Sequence, residues 1–184
     1  VLDGQQFVPI ASLDGMADRT LKCGSAGKIF SLTGWKIGWI AGNPARVSVA
    51  SQAHQFLTFA TAPNLQAAVA FGLAEGDAWL APMRASFARA RDRMADGLRA
   101  AGFVALPSDS TYFQVVDLAA SGITMNDEEF AAMAVERAGV AVVPLSSFYE
   151  QDAPGHLVRI CFAKRDETID AGIAAMARAR ELAR

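Results

Sequence analysis

Cysteine is scarce: Cys23 and Cys161 are the only two, far apart, with no C-x-x-C pair and no Cys/His cluster around either. That excludes a disulfide framework and a zinc site of ordinary spacing, and no metal is expected; reduced, buried thiols of a cytoplasmic protein are. Net charge is small, -2 at pH 7, so there is no global basic field to draw nucleic acid or an anionic membrane. No apolar run reaches the length of a membrane span, and no basic-then-apolar leader opens the chain. Repeats and low-complexity segments are also missing. The two histidines, His54 and His156, stand alone and read as packing or surface residues. Val1 is not an initiator Met, and residues 1–10 hold a turn at Asp3-Gly4 but no helix start or capped strand, as if cut from the middle of a longer chain.

The 184 residues suffice for one ordinary domain or two small ones, and 52% hydrophobic with 20% charged is the composition of a protein with a core. Short strands are expected at 20–24 and, buried between glycines, at 37–41, with a loop at 25–28 and a helical segment starting near Leu32. Asn43-Pro44 and Pro63 open helices over 46–56 and to about Ala74. Trp79, Met83, Phe87, Met94 and Leu98 form one stripe of a long amphipathic helix that Gly102 is placed to end. Strands at 103–106 and 111–116, a helix at 126–138 with Asn126 and Glu129 at capping-box spacing, strands at 140–143 and 157–162 and a helix at 166–182 complete an α/β pattern.

Acidic residues are missing from Arg19 through Ala74, while Arg19, Lys22, Lys28, Lys36 and Arg46 fall inside that window. Either these are solvated cations placed by chance, or the window balances an anion. Gly24, Gly27 and Gly34, interleaved with Ser25, Ser31 and Thr33, could bring backbone and hydroxyl donors to a phosphate. A nucleotide P-loop is excluded, because Lys28 is followed by Ile29 and lacks the earlier glycine; G-x-G-x-x-G and G-x-S-x-G are absent too. Lys28, next to small and apolar residues and far in sequence from any carboxylate, suits an amine nucleophile. In the strand 157–162, Arg159 is the one charge, with no acid within six residues. Its partner is a distant structural acid, or water reached by snorkelling, or a carboxylate from outside the chain.

The run Ser25-Ala26-Gly27-Lys28-Ile29-Phe30-Ser31-Leu32-Thr33-Gly34-Trp35-Lys36-Ile37-Gly38 resembles the pyridoxal-phosphate (PLP) attachment signature of class I/II aminotransferases, departing where Lys36 replaces the usual Arg. Lys there is similar to the kynurenine, glutamine and methionine aminotransferase subgroup. The resemblance implies part of a fold type I PLP-transferase, namely the family's carboxy-terminal half. Residues 1–76 would be the remaining part of the large PLP-binding domain, 77–101 a connecting helix and 102–184 the small domain. It implies Lys28 as the cofactor lysine and proton shuttle, with Ser25 and Lys36 on the cofactor phosphate. Arg159, followed by Ala163-Lys164, would grip the substrate carboxylate.

Tyr112, Phe113 and Phe148 would line the substrate pocket, or serve as core aromatics, and Phe59 would reach a partner subunit's site. Ser110 stands where the family's G-x-Y-F strand has glycine. The complete enzyme would be a homodimer moving an amino group from an amino acid to a 2-oxo acid (EC 2.6.1.-). The chain alone would be inactive, since the family's first half supplies the acid paired with the pyridine nitrogen. A β-lyase on the same scaffold and the PLP-sensing domain of a bacterial transcription regulator are the alternatives.

Overall fold

A computed structural model describes residues 2–184; Val1 lies outside the described residues. The backbone divides into two units, one of Gln6–Pro82 and one of Met83–Arg184 with the segment ending at Gln5.

In the first unit, β1 (Leu21–Ser25) feeds a one-turn helix, α1 (Ala26–Ile29), and the chain returns through a 3-10 turn at Thr33–Trp35 into β2 (Gly38–Gly42). The loop expected at 25–28 is thus partly helical, because the Ser25 hydroxyl accepts from the Gly27 N–H (3.2 Å) and caps the turn. The two strands pair antiparallel, Ser25 opposite Gly38 and Gly24 opposite Trp39. Two helices follow, α2 (Pro44–Leu57) and α3 (Pro63–Ala74), each with proline in its first turn. Asn43 caps α2 by accepting from the Ala45 N–H at 2.9 Å.

β2 is not the buried strand its apolar residues suggest: Ile37 just before it is buried, but Trp39 is half-buried and Ile40 is exposed. Its one partner among the described residues is β1, and a two-stranded ribbon cannot cover its own faces. Cys23 on β1 is exposed for the same reason, and Cys161 is half-buried; both thiols are free, but neither is buried as expected.

The division at Pro82 falls inside α4 (Gly76–Ala100). Of the expected stripe, Met94 and Leu98 are core, Met83 and Phe87 are half-buried, and Trp79 is half exposed. The second unit then builds β3 (Val104–Ala105), β4 (Phe113–Asp117), α5 (Asp127–Met133) with a π-helical turn at Ala134–Ala138, β5 (Val143–Pro144), β6 (Leu157–Cys161) and α6 (Asp166–Leu182). The sheet order is β3-β4-β6-β5, all antiparallel. Val116, Val158 and Ile160 turn to one face and pack with Leu98, Phe130, Phe162 and Met176 into the main core. The capping box is complete: Asn126 accepts from the Glu129 N–H at 2.8 Å, and Glu129 accepts from the Asn126 N–H at 3.3 Å. The strand expected at 103–106 shortens to two residues, and the one expected at 140–143 is displaced to Val143–Pro144, sharing only Val143 with the expected span. Among the described residues no helix is long and apolar enough to cross a membrane.

Candidate functional site

Lys28 owes its place to close backbone packing. A Cβ on Gly38 would lie 2.8 Å from the Gly24 carbonyl oxygen, so glycine lets β1 and β2 meet where Lys28 departs. Ala26 N–H donates to the Ile37 carbonyl (3.0 Å) and Leu32 N–H to that of Gly27 (2.8 Å), closing the turn on itself. Ala26, Ile37 and Val69 form a small core beneath it, with Phe30 packed against them. The Trp79 indole N–H donates to the Ile29 carbonyl at 2.8 Å, holding the far end of α1.

Lys36 sits in the left-handed region, φ 54°, at the end of the 3-10 turn. A non-glycine residue there costs on the order of 1 kcal/mol, and the conformation turns the chain into β2. Ser25, Lys28, Thr33 and Lys36 line one cavity of about 370 Å³, with Gly27, Ile37 and Gly38 completing it. The lining thus offers two cations and two hydroxyls and holds no carboxylate. Neither lysine is ion-paired among the described residues. Such a set suits an anion, and an amine beside it suits a carbonyl; a phosphorylated aldehyde is a ligand of both kinds. A larger cavity of about 630 Å³, bordered by Trp39, Val47 and His54, shares Lys36 and Gly38 with the first. His54 is exposed and paired with the Thr58 hydroxyl at 2.7 Å.

Arg159 belongs to the second unit. Strand alternation sends Val158 and Ile160 to the core and leaves Arg159, flanked by Val115 and Val143, on the opposite face, half-buried. Its guanidinium carbon lies 4.0 Å from the Phe113 ring centroid and 5.1 Å from that of Phe148. Its Nε is buried with no hydrogen-bond partner, and no acid pairs with it among the described residues.

Tyr112 leans on Phe113 (4.5 Å) and Phe87 (6.0 Å) at the margin of the main core. Phe148 is 61% exposed and Phe59, at φ 62°, 81% exposed. Each unit therefore gathers its own group: Ser25, Lys28 and Lys36 in one, Arg159 and Phe148 with Phe113 in the other. Nothing in the sequence singles out Asp127, which is 1% exposed and accepts from the Ser146 N–H at 2.8 Å. It stands in an acidic first turn, where a solvated carboxylate is the ordinary expectation.

The lysine turn and the lone arginine strand fit one class of protein. A family model described as aminotransferase class I and II matches residues 1–176, and the chain belongs to that family, whose members depend on PLP. It is similar to the probable N-succinyldiaminopimelate aminotransferase DapC of Mycobacterium tuberculosis, with 40% identity over 182 residues, 94% of this chain and 46% of that protein. The solved structure of N-succinyldiaminopimelate aminotransferase from Mycobacterium tuberculosis superposes with a TM-score of 0.91 at 39% identity, covering 97% of this chain and 47% of that one. Kynurenine–oxoglutarate transaminase 3 of Rattus norvegicus, from the expected subgroup, is 32% identical over 189 residues, 93% of this chain and 42% of the relative. The chain spans about half the length of the curated relatives it matches.

Proposed function

We propose that this chain is part of a PLP-dependent aminotransferase that moves an amino group from an amino acid to a 2-oxo acid. The observation that carries the reading is the cavity in which Lys28 and Lys36 stand with the Ser25 and Thr33 hydroxyls and no carboxylate. In it Lys28 holds the cofactor covalently, and Ser25 and Lys36 hold its phosphate, Lys36 as a point charge without the two-pronged grip of arginine. When bound, PLP supplies an electron sink that makes the bonds at an amino acid's Cα labile. The Lys28 amine carries the proton released at Cα, as its position at the end of a mobile four-carbon stem permits. Arg159 takes the substrate's carboxylate; an unpaired guanidinium beside apolar neighbours supports that role. Tyr112 and Phe148 border the substrate.

Residues 1–76 are assigned to the large domain, 77–101 to the connecting helix and 102–184 to the small domain. The active protein is a homodimer to which Phe59 contributes across subunits; the exposed run Phe56, Leu57 and Phe59 supports an assembly surface there. Two free thiols agree with a cytoplasmic setting.

Borohydride reduction of the PLP-loaded protein, followed by intact mass and peptide mapping, tests the assignment. The cofactor should be fixed on Lys28 and be missing from Lys28→Ala. A cofactor fixed on Lys22, Lys36 or Lys164 instead would refute it.

A further inference from the structure

Arg159 is an arginine held without an acid. Its register neighbours are valines, its Nε is buried and unpaired, and the ion pairs of the described residues pass it by. A buried guanidinium donor left in that state is costly, so something else must fix the group. Two rings stand within cation–π reach, Phe113 at 4.0 Å and Phe148 at 5.1 Å from the guanidinium carbon. A ring face attracts the cation without consuming its in-plane N–H donors, whereas a carboxylate partner would occupy them.

We infer that Phe113 and Phe148 are positioning residues that hold the Arg159 guanidinium ready for a ligand carboxylate, and that buried Asp127 anchors the turn carrying Phe148. The inference rests on Arg159 being the carboxylate receptor.

Phe148 is 61% exposed, so burial does not explain where it lies. Its position is set by the backbone of the 3-10 turn Ser146–Phe148. That turn is fastened at both ends of its first half: Leu145 N–H donates to the Leu157 carbonyl (3.0 Å) on β6, and Ser146 N–H donates to the Asp127 carboxylate (2.8 Å). The Phe148 N–H then closes on the Leu145 carbonyl at 3.1 Å. Phe113 is placed from the other side of Arg159's strand neighbours, on β4, with its N–H donating to the Thr111 hydroxyl at 3.2 Å. Carboxylate affinity in this arrangement depends on two uncharged rings that stand against the arginine.

The test uses the full-length, PLP-loaded protein. The dissociation constant of 3-phenylpropionate, an unreactive monocarboxylate, is measured by calorimetry, and KM and kcat are measured for an amino-acid substrate. Phe148→Leu keeps an exposed apolar side chain and should leave the fold intact. It should weaken 3-phenylpropionate and raise KM by about three- to thirtyfold. Phe148→Tyr, which retains the ring face, should restore both. Phe113→Leu should act in the same direction. If Arg159→Ala abolishes binding while Phe148→Leu and Phe113→Leu bind like wild type, the rings do not position the arginine and the inference fails alone. If Arg159→Ala binds like wild type, the carboxylate role of Arg159 fails and the inference falls with it.

Discussion

Gly24 faces Trp39 across the β1–β2 pair, and a Cβ there would lie 2.1 Å from the indole Cε2. The indole is half-buried against Ala26, Ile37 and Val69, so it cannot move without disturbing the floor beneath Lys28. Gly24→Ala should therefore destabilise the protein by about 1–3 kcal/mol, read as a lower urea midpoint, with weaker PLP retention on dialysis. Single residues were unevenly legible. Lys28 and Arg159 stood out because each is a charge in surroundings that supply no opposite charge, and sequence records that kind of isolation. Asp127 does not stand out, because an acid in a helix's first turn is ordinary, and the N–H that its carboxylate accepts from belongs to Ser146, nineteen residues away. The pairing of Arg159 with Phe113 was hidden for the same reason: it arises from the β4–β6 register, which sets Phe113 opposite Cys161 and Val115 opposite Arg159.

Helix ends are legible in the sequence, and strand ends less so. α2, α3 and α6 begin or end close to where proline, asparagine and acidic first turns place them, since those signals act within one turn of chain. A strand's length is set by its neighbour. β3 and β5 lie at the edges of the sheet and pair over two residues each, so the apolar runs around them do not extend as ladder. Packing between α4 and α6 supplies a test at this scale. A Cβ on Gly97 would come within 2.3 Å of Ile173 Cδ1, with Cγ1 and Cγ2 at 3.1 and 3.2 Å, so the β-branched side chain has no free direction in which to swing away. Alanine gains up to about 1 kcal/mol in helix propensity over glycine, but overpacking costs about 1–3 kcal/mol. Gly97→Ala should be net destabilising, which a thermal or urea melt will show as a lower midpoint; a stabilised variant would mean that Ile173 repacks freely.

Across the second unit, charge ties the long helix to the last one. Arg93 donates to Asp170 through Nε (2.7 Å) and Nη2 (2.6 Å), and its Nη1 reaches Asp166 at 3.5 Å. The hydrogen bond from Arg93 holds the Asp170 carboxyl below its ordinary value of 3.8, partial desolvation opposing and the opposite charge adding to it. Asp3 is lowered in the same way by the hydrogen bond from Arg91. A carboxyl depressed on folding lends stability above its unfolded value and loses it as pH falls through the folded one. Urea midpoints should therefore drop between about pH 5 and pH 2, and Asp170→Asn should flatten part of that drop. An unchanged pH slope in Asp170→Asn would mean that the pair is too solvent-screened to matter.

Taken alone, the sequence determined the mixed α/β class, the family and the isolation of Lys28 and Arg159, because each rests on patterns that lie within a few residues of chain. Only the tertiary structure decided what meets what: that Ser25, Lys28, Thr33 and Lys36 share one cavity, that β2 and Cys23 are exposed rather than buried, and that two rings rather than an acid stand beside Arg159. Burial and cross-strand contact depend on register and coverage by distant segments, and those are properties of the folded backbone in space.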